Sequence, residues 1–117
     1  MLSPEHRALI DSVQARYLSD QIPDRDTERA VVAAILANLA EREPGRSVEV
    51  RIPPYAAIQV VAGHTHRRGT PSAVVETTAR TLVALASGSV TWAQSSASGA
   101  LQASGERSDL SHLFPLT

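Results

Sequence analysis

At 117 residues, with a formal net charge of −1 and no cysteine, the chain has room for one core and excludes disulfides, thiolate catalysis and Cys-ligated metal. All eleven basic residues are arginine, scattered and without interleaved aromatics, so no nucleic-acid partner is expected. No apolar run approaches the roughly 18 residues that span a bilayer, and the opening MLSPEHRALID puts charge where a signal peptide needs an apolar stretch. Cytoplasmic residence without stable membrane insertion is therefore the expectation.

Eighteen alanines dominate the apolar residues, against one tryptophan (Trp92), one phenylalanine (Phe114), Tyr17 and Tyr55. Such small side chains fill a core only if backbones approach closely; otherwise they leave a cavity. Composition does not choose between the two. Arginine without lysine, with abundant alanine, points to a GC-rich bacterial source.

In chain order, Ser3-Pro4-Glu5 is a helix start, a hydroxyl cap followed by proline and an acid in the first turn. Leu9, Ile10, Val13 and Tyr17 recur at helical spacing until Ile22-Pro23. A second helix starts at Asp24 or Asp26, carries Val32, Ile35, Leu36 and Leu39, and stops at Glu43-Pro44-Gly45. The period then switches to two: Val48, Val50 and Ile52 face one way, Glu49 and Arg51 the other. Pro53-Pro54 interrupts that strand, and Tyr55 to Ala62 reads as an apolar strand, placed centrally in the sheet. Gly63 to Pro71 reads as a polar loop or hairpin tip.

Ala73 to Glu76 is another short strand. Thr77 or Thr78 caps a helix bearing Leu82, Val83 and Leu85, closed by Gly88. Thr91-Trp92-Ala93-Gln94 fits a capping box on a short helix ended by Gly99. Ala100 to Ser104 suits a strand, and Ser108 is expected to cap a final turn with Leu110, Leu113 and Phe114.

Three segments, VVETTARTLVALASG, VTWAQSSASGALQASGE and SDLSHLFPL, resemble the sterol-carrier-protein (SCP-2-like) family. Within it they are similar to the bacterial branch found alone or fused behind mycothiol-dependent enzymes. Gly88, Gly99 and Gly105 stand at that branch's spacing, and SVEVRIPPYAAIQVVAGHTHRRGTP extends the similarity upstream to Ser47. The resemblance implies an α+β, SCP-2-like fold with a curved, mainly antiparallel sheet of about five strands covered by helices on one face. Residues 1–117 then form a single domain, helical over 1–45, with sheet and helices over 47–116.

It further implies a non-enzymatic role: binding a lipid or other hydrophobic small molecule in an apolar cavity between sheet and helices. An acyl chain gains about 0.8 kcal/mol per methylene removed from water, so carriage needs no reacting group and no cofactor. The expected lining is Ile58, Val60, Leu82, Leu85, Trp92, Leu110 and Phe114, although each also fits plain core packing. The alternative is a filled core, with the chain acting as an accessory interaction domain beside a mycothiol-dependent enzyme or a second copy of itself. Leu116-Thr117 carries no peroxisomal address, which argues against eukaryotic sterol traffic.

Two weaker signals point elsewhere. His64 and His66, with Glu76 or His6, have metal-ligand character, but their loop is flanked by Arg67-Arg68 and no zinc motif surrounds them, so no metal is expected. Ser95, Ser96 and Ser98 with His112 and Asp109 contain the residue types of a triad, yet no Gly-x-Ser-x-Gly elbow occurs.

Overall fold

The computed structural model describes residues 2–63 and 73–116. Helix α1 (Pro4–Leu18) begins where Ser3 Oγ accepts the His6 N–H at 3.1 Å. Asp24 opens α2 (Arg25–Arg42) in the same way, accepting the Thr27 N–H at 2.8 Å. Thr78, rather than Thr77, caps α3 (Ala79–Ser87), since its hydroxyl takes the Thr81 N–H. The Thr91–Gln94 capping box at the start of α4 (Trp92–Ser98) is complete in both directions. Each of these caps satisfies helix-end donors that have no partner within the helix.

Strands β1 (Val48–Ile52), β2 (Ala56–Val60), β3 (Ala73–Thr77) and β4 (Leu101–Ser104) form one sheet in the order β2-β1-β3-β4. The outer pairings, β1 with β2 and β3 with β4, are antiparallel, whereas the central pair β1–β3 is parallel. The sheet is thus mixed, with four strands among the described residues, where about five had been expected. One correction concerns the strand after Pro53-Pro54. Among the described strands it lies at the edge rather than the centre, because β3 takes the free side of β1. Its composition agrees with an edge, Ala56 and Ala57 being exposed.

Register places Val48 opposite Val60 and Ala73, and Val50 opposite Ile58 and Val75. These residues share the inner face with Ile52, and all but half-buried Ile58 are buried. The opposite face carries Glu49, Arg51, Glu76, Gln102 and Ser104, half-buried or exposed. Period-two alternation therefore produces a sheet that must be covered on one side only. Helices α2 and α3 pack together, α2 also meets β2, and α1 lies on both helices. No helix of the described residues is long and apolar enough to cross a membrane.

The C-terminal segment is tied to three helices. Arg7 of α1 donates to the Leu116 carbonyl at 3.3 Å, Arg42 of α2 to the Leu113 carbonyl at 3.0 Å, and the Leu116 N–H to Ala86 of α3 at 3.0 Å. Its short 3-10 turn, Ser111–Leu113, is not capped by Ser108, whose hydroxyl donates to the Gly105 carbonyl. Asp109, just ahead of the turn, accepts the Ser111 N–H at 2.9 Å, a bond that holds its carboxyl below the usual carboxylate range.

Gly45 sits at φ 153°, and a Cβ there would lie 2.2 Å from the Val61 carbonyl carbon. Gly99 has φ 81°, but a Cβ there would meet nothing within 4 Å. Urea denaturation should separate the two. Gly99→Ala is expected to cost about 1 kcal/mol from left-handed strain alone, and Gly45→Ala more than about 2 kcal/mol, since backbone must move.

Candidate functional site

The open side of the α3–α4 pair carries two adjoining grooves. Thr78 starts α3 so that Arg80, Thr81 and Ala84 lie along one wall, and the capping box turns α4 so that Gln94, Ser95 and Ser98 form the other. This first groove has a volume of about 420 Å³ and an apolar floor of Ala84, Val90 and Ala100. The second, about 320 Å³, runs from Gly88 and Val90 past Trp92 to Phe114 and Pro115. Val90 lines both. The Trp92 and Phe114 rings stack with centroids 6.0 Å apart and planes inclined at 26°.

Of the seven residues expected to line a cavity, Trp92 and Phe114 line the second groove. Val60, Leu82, Leu85 and Leu110 lie in the core at 2% exposure or less, and Ile58 is half-buried against it. None of these five borders either groove. Val13, Val32, Ile35, Leu39 and Ile52 are fully buried in the same core, at 0% exposure.

The other chemistry-bearing residues are separated. His64, His66, Arg67 and Arg68 lie outside the described residues. Glu76 is on the exposed sheet face, and among the described residues no three His, Cys, Asp or Glu side chains gather into a metal-holding group. The His112 ring lies 3.0 Å from a Glu43 carboxylate oxygen, and Asp109 is engaged by Ser111.

Sequence reasoning passed over the groove's polar wall, weighing its serines only as members of a triad. One local signal marks it: Arg80 sits in the first turn of α3, where the helix dipole disfavours a cation. It also passed over Glu28, whose carboxylate accepts the Tyr17 and Tyr55 hydroxyls, each at 2.5 Å. That pair of bonds joins α1, α2 and the β1–β2 turn. Arg80 lies over the Tyr17 ring and donates to the Tyr17 carbonyl at 3.1 Å, linking the groove wall to the same cluster.

The fold and grooves define a helix-covered, one-sided α+β domain with open surface clefts. A family model described as bacterial SCP ortholog matches residues 24–116, and the chain belongs to that bacterial sterol carrier protein-like family. The match starts at the cap of α2, leaves α1 outside and ends with the C-terminal tie at Leu116. Among curated proteins none matches the chain.

Burial, and then the Glu28 hydrogen bond, push the Tyr17 phenol well above its ordinary 10.0. The Glu28 bond, more than burial, raises Tyr55. A group whose pKa is raised by folding contributes stability that is complete below its unfolded pKa and is lost as pH rises beyond it. Thermal unfolding midpoints should therefore fall above about pH 10. Tyr17→Phe should flatten that fall while costing about 1–2 kcal/mol at neutral pH, since it removes one of the two bonds to Glu28.

Proposed function

We propose that this chain is a non-catalytic, cytoplasmic binding domain for a hydrophobic small molecule. Its ligand lies along α4, with its apolar end on Trp92 and Phe114. Family membership supports a hydrophobic-binding domain as the general class. The observation that carries the location is the meeting of two open grooves at Val90, one of them ending in a stacked aromatic pair. On this reading Leu82, Leu85 and Leu110 are the packed wall behind the site, with Val60 and Ile58 further into the sheet. An open groove leaves part of each ligand methylene wet, so binding gains less than the roughly 0.8 kcal/mol per methylene of full burial. Affinity should be correspondingly modest, with dissociation constants of about 10 μM to 1 mM.

The burial of Val60, Leu82, Leu85 and Leu110 is also compatible with a second reading, an accessory interaction domain beside a thiol-dependent enzyme, with a filled core and no small ligand.

Trp92, the chain's one tryptophan, makes the choice measurable. Titration with 1-octanol should change its emission saturably, and Phe114→Ala should weaken binding about tenfold by removing the stacked partner. A signal that stays flat or rises without saturation, with native mass spectrometry showing no adduct, would count against the small-ligand reading and leave the interaction domain.

A further inference from the structure

The first groove is chemically lopsided. Among the described residues that line it, Arg80 is the single charged one. The remaining polar lining is rich in donors. Gln94 commits its carbonyl oxygen to the Thr91 N–H in the capping box, which leaves its NH2 donors. Thr81 Oγ1 accepts from the Thr78 hydroxyl, so its own proton is available. Ser95 also lines the groove and carries a hydroxyl that can donate. The second groove, by contrast, has no charged residue among the described residues that line it.

From this gradient the geometry points to an anionic head group as the part of the ligand that the first groove recognises. Arg80 is its charge receptor and Ser95 a hydrogen-bond donor. The inference rests on the small-ligand reading above and deepens it. A carboxylate or phosphate monoester over Arg80 would have its apolar body cross Ala84 and Val90 toward Trp92 and Phe114. Arg80 has donors to spare, because a guanidinium carries five N–H groups and only one is engaged on the Tyr17 carbonyl. Its other neighbour is the Asp20 carboxylate at 4.0 Å, whose side chain is 96% exposed. So exposed a contact holds weakly and yields to a bound anion. The first turn of α3 adds positive potential from its free N–H groups, in the direction that favours an anion. A cation placed against its own helix dipole has a reason to be there if it faces one.

The test compares heads on a constant tail: octanoate, octyl phosphate, 1-octanol and octylammonium, titrated against full-length protein by calorimetry and Trp92 emission. Either anion should bind three- to tenfold more tightly than 1-octanol, a modest ratio because the Arg80 side chain is 59% exposed. Octylammonium should bind most weakly, and which anion wins separates carboxylate from phosphate ligands. Arg80→Met should bring the ratio of anion to 1-octanol affinity down to about one, Arg80→Lys should restore most of it, and Ser95→Ala should reduce it. Urea curves for each variant separate lost recognition from lost folding, since Arg80 also braces α1. Equal binding of octanoate and 1-octanol by the natural protein, or an anion preference that survives Arg80→Met, would overturn the inference while leaving the apolar site intact. Failure of all four probes to saturate would overturn both.

Discussion

The inner face of β1 is the surface around which the rest of the molecule is arranged. Val48, Val50 and Ile52 lie side by side with Val60 and Ile58 from one neighbour and Ala73 and Val75 from the other. The result is an apolar strip three strands wide that must be kept from water. Its reverse face carries Glu49, Arg51, Glu76 and Gln102 and needs no cover. One-sided cover accounts for the layer of helices on a single side. It also accounts for the buried stripe of Val31, Val32, Ile35, Leu36 and Leu39 on α2 and that of Leu82, Val83 and Leu85 on α3.

A core with so few aromatic residues is built from small and branched side chains. Alanines at 34, 79, 84 and 86 are all buried and bring backbones close, while branched side chains fill the space between them. The cover is then fastened at its margins by polar ties. Arg7 and Arg42 hold the C-terminal carbonyls, and Glu28 joins Tyr17 to Tyr55 across three elements. Such ties add modest net stability each. Their effect is mainly to set where α1 and the C-terminal segment sit over the packed layer.

Two open grooves lie outside this packed layer. α4 is short and small-faced, and with Ala84 and Ala100 beneath it the space beside it stays open as the two grooves. Small side chains and a short helix together leave a cleft there. Recognition at such a cleft depends on what its rim offers, here a guanidinium and hydroxyls at one end and a tryptophan–phenylalanine stack at the other.

Much of the local structure was legible in the chain itself. The caps at Ser3, Asp24 and Thr91, the left-handed closures at Gly88 and Gly99, and the alternation of Val48 to Ile52 depend on neighbours a few residues away, where residue type and backbone geometry are directly coupled. The family was legible too, because the spacing of such local signals is what its members share. Strand order was not. Whether Ala56–Val60 lies at the centre or the edge depends on which side of β1 is taken by β3, a pairing across more than twenty residues that no local pattern encodes. Core and groove were equally indistinct, since an apolar residue such as Leu85 reads the same whether it faces a cavity or another side chain. Only packing in three dimensions put Leu85 inside and left Trp92 and Phe114 at the groove, with Arg80 and Ser95 brought to the same cleft by two different helices.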